Sequence, residues 1–149
     1  MKPSYIAALF ILQFSAILAN AAILAGPFVY PVSGHRYYLL TSNKWIDSQS
    51  EAITLGGNLV TINNLAENQW VFDTFGPLAE AQRPATDDSP SLWIGLSDAA
   101  LEGTFSWISG EAVLFTYWDV GQPNNSGGDQ DFVEMRVRPP TTLSAGCAR

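Results

Sequence analysis

Apolar positions in this chain come in short groups, and the spacing inside each group changes along the sequence. Between Phe28 and Leu40 the run Tyr37-Tyr38-Leu39-Leu40 carries high strand preference, with Gly34 marking a turn before it. Residues 44–55 change period. Trp45, Ala52, Ile53 and Leu55 fall at spacings near seven and eight, which is one face of a helix, and Asp47, Gln49 and Glu51 fall mostly on the other. Gly56 and Gly57 stop that helix, because glycine tolerates the left-handed end conformation. Leu59–Ile62 then reads as a short strand. Asn64, with Glu67 three residues on, is a capping-box-like start for a second helix. Its Ala66/Trp70 and Val71/Phe75 pairs sit at i,i+4, and Gly76 and Pro77 are expected to close it. Residues 79–91 read as a polar surface loop.

The second half of the chain is strand-like. Leu92–Leu96 is an apolar run bounded by turn residues, and Phe105, Ser106 and Trp107 alternate. Residues 119–130 hold Gly121, Pro123, Asn124, Asn125, Gly127 and Gly128, a composition that excludes a helix or a central strand. Val133, Met135 and Val137 alternate with Glu134 and Arg136, the pattern of a half-buried strand. From residue 138 to 149 no periodicity remains, and an irregular tail is expected. Helices and strands in this order make an α+β chain.

Ahead of all this, Lys2 precedes an apolar run from Ile6 to Leu18, followed by Ala19-Asn20-Ala21. That is the pattern of a secretory signal peptide over residues 1–21, too short for a comfortable membrane span and followed by no basic stop. No membrane span is expected after its cleavage. Lys2 is the one charge removed, so the net charge of −7 becomes −8. Such acidity argues against a nucleic-acid partner and suits either solubility or the collection of cations by oxygen ligands. Cys147 is the single cysteine, so no intrachain disulfide forms and the core must hold the fold unaided. His35 has no second His or Cys to pair with and reads as a surface histidine.

No Gly-x-Ser-x-Gly, phosphate-binding loop, His-Glu-x-x-His or dinucleotide fingerprint occurs. One His and one Cys leave no nucleophile–base pair, so a non-enzymatic role is expected, a carboxylate dyad being the remote exception. Oxygen donors do cluster. Asp98 and Glu102 lie between Gly95 and Gly103, and Gln122, Asn124, Asn125, Asp129, Gln130 and Asp131 lie in the glycine-rich stretch. Calcium takes six to eight hard oxygens in irregular geometry, which a loop can supply, whereas zinc would want the missing Cys and His. The same Asn, Asp and Gly residues also suit plain turns. Trp45, Trp93 and Trp107 sit at patterned positions that read as core rather than as stacking platforms for a ligand.

Order and spacing together carry a resemblance. Trp45 opens a helix, Gly56-Gly57-Asn58-Leu59-Val60-Thr61-Ile62 follows it, and then come Trp93-Ile94-Gly95-Leu96, Asp98, Glu102-Gly103, Trp107, Gly110, Tyr117-Trp118, Gln122-Pro123-Asn124 and Asp131-Phe132-Val133. Over residues 28–137 the chain resembles the C-type lectin-like domain. The resemblance implies two helices flanking two small antiparallel sheets, with a long ligand-binding loop region. It implies a cis bond at Pro123 and a calcium ion held by Gln122, Asn124 and Gln130, onto which sugar hydroxyls would bind. It implies a second, structural calcium at Asp98, Glu102, Asn125 and Asp131. The expected function is calcium-dependent carbohydrate binding by a secreted domain. The alternative is a protein-binding or adhesion module of the same fold, with a cell-surface protein as partner. Within the family Glu-Pro-Asn goes with mannose-type and Gln-Pro-Asp with galactose-type sugars, so Gln122-Pro123-Asn124 is a hybrid. The family's usual disulfides are missing, with Phe132 at a common cysteine position, as in bacterial members. The Trp-Asn-Asp segment expected after the Val133 strand is also missing, which reads as a truncated or frame-shifted end.

Overall fold

The computed structural model describes residues 23–82 and 90–137, together with the backbone of 145–148. Residues 1–21, read above as a signal peptide, lie outside the described residues.

The described residues open with an antiparallel hairpin, β1 (Ile23–Val29) and β2 (Arg36–Leu40). Its turn is closed by the Tyr30 N–H on the His35 carbonyl and the Gly34 N–H on the Tyr30 carbonyl, at 2.9 and 2.8 Å. His35 is exposed, as expected. The register slips between Ala25 and Phe28, where Gly26 has φ +113°. A Cβ at Gly26 would stand 2.7 Å from the Tyr37 carbonyl oxygen, so only glycine fits this bulge.

Helix α1 spans Trp45–Thr54, close to the predicted 44–55. Its buried face is not the predicted one. Trp45, Ser48, Gln49 and Ala52 are buried, while Ile53 and Leu55 are exposed. Gln49 faces inward because its amide is used: Oε1 accepts the Leu59 N–H at 2.9 Å, and Nε2 donates to Asn58 Oδ1 at 2.8 Å. This also explains why Leu59–Ile62 is not the expected strand. The Leu59 N–H is spent on a side chain, and the segment makes one backbone bond to the main sheet, from the Gly95 N–H to the Val60 carbonyl at 2.8 Å. A Cβ at Gly95 would lie 2.7 Å from the Leu59 carbonyl oxygen, so the bare glycine is what lets the segment cross so closely.

Helix α2 spans Leu65–Gln82. Its start follows the predicted cap: Asn64 Oδ1 accepts the Glu67 N–H at 2.9 Å, and Glu67 Oε2 accepts the Asn63 N–H at 2.9 Å. Its end does not follow the prediction. The helix runs through Gly76 and Pro77 and takes in residues 79–82 of the expected loop. Proline in a helix interior costs about 3 kcal/mol. Burial of Phe75 and of Gly76 against Val137, with Leu78 packed on the core, outweighs that cost.

The second sheet has the order β4-β3-β5-β6, with β3 (Ser91–Ser97), β4 (Ser106–Trp107), β5 (Phe132–Arg136) and β6 (Ala145–Ala148). All its pairings are antiparallel. Strand β5 alternates as predicted, Val133 and Met135 being almost wholly buried and Arg136 exposed. Strand β6 pairs residue for residue with β5, Val133 opposite Cys147, where an irregular tail over 138–149 was expected. Ala-Gly-Cys-Ala has no apolar alternation to reveal a strand; the pairing comes from the free edge of β5.

The core joins Ile62, Val71, Phe75, Ile94, Leu96, Trp107, Val133 and Met135. Trp45 and Trp107 are buried, and the Trp45 indole N–H donates to the Ile94 carbonyl at 2.8 Å. Phe132 stacks on Trp45 with centroids 4.6 Å apart, tying β5 to α1 where no disulfide is available. The expected architecture of two helices and two small antiparallel sheets is therefore the observed one. Among the described residues, no helix is long and apolar enough to cross a membrane.

Candidate functional site

Two irregular segments meet at one end of the main sheet. The first leaves β3 at Asp98. The Asp98 N–H donates to the Asp131 carbonyl at 3.1 Å, so the turn is anchored to the residue that leads into β5. The Leu101 N–H returns to the Asp98 carbonyl, and the Gly103 N–H donates to Asp98 Oδ2, both at 2.9 Å. Asp98 is only 4% exposed, and its Oδ1 is buried with no hydrogen-bond partner. An unsatisfied buried carboxylate oxygen is costly, and such atoms call for an explanation.

The second segment is the long loop. The Arg136 guanidinium stands 3.8 Å from the Asp119 carboxylate at its base, and the Gln122 N–H donates to the Asp119 carbonyl at 2.9 Å. The Gln122–Pro123 bond is cis, as the resemblance implied. Beyond it the side chains fold back on the backbone. Gln122 Oε1 accepts the Asn124 N–H at 3.2 Å. The Ser126 N–H is shared between Asn124 Oδ1 at 3.0 Å and Gln130 Oε1 at 2.9 Å. The predicted ligand residues Asn124 and Gln130 thus converge on one point, with Gln122 alongside. Each pinned atom must be the oxygen, because its partner is an N–H donor.

Asn125 joins the two segments. Its Nδ2 donates to Glu102 Oε1 at 2.7 Å and its Oδ1 accepts the Gln130 N–H at 3.0 Å. It does so from a left-handed backbone, φ +41°, which asparagine tolerates better than most residues. The four residues of the second predicted calcium site thus form two bonded pairs, Asp98 with the Asp131 backbone and Glu102 with Asn125, whose own oxygen accepts the Gln130 N–H.

Two contributors escaped the sequence reading. Ser126 acts through its backbone N–H, which residue type does not advertise. The Asn-x-Ser spacing of an Asx turn was the available signal. Asp119 acts through an ion pair with Arg136, 17 residues away in sequence. Of the three tryptophans, Trp93 is part-buried with its N–H on the Asn43 carbonyl at 2.9 Å, and the other two are core, as the patterning indicated. A separate concavity, lined by residues such as Tyr37, Asn58 and Glu67, lies against the hairpin and shares no residue with the loop site.

As hosts for a calcium ion, the two halves of the site differ. The Asp98 neighbourhood fits. It offers the Asp98 and Glu102 carboxylates, with a buried oxygen on Asp98 whose missing partner a hard cation would supply. Among the described residues, no three His, Cys, Asp or Glu side chains stand together as a complete ion site. Amide, backbone or water oxygens would therefore have to share the shell, as calcium permits. The Gln122, Asn124 and Gln130 trio fits poorly. It carries no formal charge, and the point on which two of its oxygens converge is filled by the Ser126 N–H.

The site thus sits on an α+β scaffold, in a long loop that carries a cis proline and several oxygen-bearing side chains. The Lectin C-type domain family matches residues 41–149, and the chain belongs to that family. It is 32% identical over 108 residues to human C-type mannose receptor 2, which covers 72% of this chain and 7% of the receptor. It is 37% identical over 95 residues to lectin BRA-3 of Megabalanus rosa, covering 62% of this chain and 51% of that one. Among solved structures it is similar to the C-type lectin CEL-I of Cucumaria echinata, with TM-score 0.61 and 25% identity over 71% of this chain and 74% of that one. The chain thus spans about half of lectin BRA-3 and a small part of the receptor.

Proposed function

We propose that this chain is a secreted, non-enzymatic carbohydrate-binding module whose ligand face is the long loop over residues 119–131. We propose further that calcium, held at Asp98, Glu102, Asn125 and Asp131, stabilises that face. The observation that carries the reading is the buried, unpartnered Asp98 Oδ1 at the junction of the two segments, in a member of the C-type lectin family. Lectins among the relatives support the carbohydrate half of the proposal.

The residues divide the work. Asp98 supplies a carboxylate already oriented by the Gly103 N–H, so little ordering is lost when a cation binds. Glu102 and Asn125 close the two segments on each other. A bound calcium ion would supply fixed positive charge to the Asp98 carboxylate. Gln122, Asn124 and Gln130 present polar groups to sugar hydroxyls from a backbone held by the Ser126 N–H. A calorimetric titration with calcium, followed by mannose and galactose, tests this reading. Heat from calcium and then from a sugar is expected. Calcium uptake without any sugar response would instead support the protein-binding alternative, and no calcium uptake would remove the Asp98 site.

A further inference from the structure

The direction in which the loop amides point has a consequence for how a sugar is held. Gln122 and Asn124 both turn their side-chain oxygens inward, onto the N–H groups of Asn124 and Ser126. An amide has one oxygen and one nitrogen, so turning the oxygen in directs the –NH2 group away from that contact. Neither Gln122 Nε2 nor Asn124 Nδ2 has an acceptor among the described residues, and Asn124 is exposed. Gln122 and Asn124 therefore offer hydrogen-bond donors outward. The Ser126 N–H, the positive end of a peptide dipole, occupies the spot where a cation would seek the Asn124 and Gln130 oxygens.

We propose that Gln122 and Asn124 bind the sugar directly, their amide nitrogens donating to its hydroxyl and ring oxygens, with no cation bridging at this point. The proposal rests on the carbohydrate-binding reading and specifies its chemistry. It also specifies the ligand class. Glu102, bonded to Asn125, and the exposed Asp129, beside Gly127, stand next to the tip, and the nearby cation Arg136 is engaged by Asp119. Acidic surroundings repel a carboxylate-bearing sugar, so the ligand is a neutral glycan.

The test uses the full chain against neoglycoproteins bearing mannose, galactose, N-acetylglucosamine or sialic acid, in excess EGTA and in millimolar calcium. Binding to a neutral conjugate is expected to persist in EGTA within about threefold, with sialic acid not bound. Gln122→Glu removes the donor and adds charge, and about tenfold weaker binding in EGTA is expected, since one hydrogen bond is worth about that factor. A circular-dichroism melt confirms that the variant is folded. Binding that requires calcium and strengthens in Gln122→Glu would overturn direct recognition while leaving the carbohydrate reading intact. Binding to no conjugate in either condition, by folded protein, would overturn both.

Discussion

Replacing Asp98 with asparagine should remove most of the stability gained from calcium while leaving the calcium-free protein little changed. The carboxylate is 4% exposed and uses one oxygen, Oδ2, to accept the Gly103 N–H, leaving Oδ1 buried without a partner. Asparagine keeps an oxygen for Gly103 and removes a buried charge. Its –NH2 takes the partnerless place of Oδ1, so one unsatisfied buried group replaces another and the calcium-free variant should stay within about 1 kcal/mol of the parent. Calcium binding to the parent adds RT ln(1 + [Ca]/Kd), about 2.7 kcal/mol at a concentration one hundred times Kd. For a domain of this size each kcal/mol moves Tm by about 3–6 °C, so calcium should raise the parent's Tm by about 10 °C. In Asp98→Asn that rise should largely disappear. Differential scanning fluorimetry in EGTA and across a calcium series measures both quantities. An undiminished calcium shift in Asp98→Asn, or a large loss of stability in EGTA, would refute the argument that Oδ1 awaits a cation.

Three further outcomes follow from the packing. Glu67→Gln should destabilise by about 1.5–3 kcal/mol in urea melts, because the buried carboxylate accepts both the Tyr37 hydroxyl at 2.6 Å and the Asn63 N–H at 2.9 Å, and an amide cannot reproduce both charge-assisted bonds. Burial, reinforced by the hydrogen bond to Glu67, raises the Tyr37 phenol above its ordinary value of 10.0. The contribution of neutral Tyr37 is therefore complete below pH 10 and is lost as pH rises from there towards the raised folded value; Tyr37→Phe should flatten that alkaline decline in stability. Gly95→Ala should cost about 1–3 kcal/mol by the same melts, since its methyl would meet the Leu59 carbonyl oxygen at 2.7 Å.

Parts of the fold governed by local period were legible in the sequence. Helix α1, strands β3 and β5 and the cap at Asn64 and Glu67 each declare themselves within a dozen residues. The parts that were not legible depend on partners far away in sequence. Pro77 looks like a stop until the burial of Phe75 and Gly76 is known. Gln49 looks solvated until Asn58 and Leu59 arrive beside it, and that same contact removes the strand expected at 59–62. Strand β6 has no pattern of its own and exists by pairing with β5. At the site, composition marked residues 119–130 as an irregular loop, and the resemblance to a known family implied the cis Pro123. Neither could reveal that the Ser126 N–H gathers two side chains, because that role belongs to the backbone.

The most direct test of the central claim is a two-dimensional amide NMR titration of the isotopically labelled chain with a neutral oligosaccharide, mannose- or galactose-terminated. If the long loop is the ligand face, the backbone amides of Asn124 and Ser126 and the side-chain amides of Gln122 and Asn124 shift on sugar addition, while the hairpin and both helices stay still. Shifts confined to the hairpin and α1, or a spectrum that ignores the sugar altogether, would contradict the account.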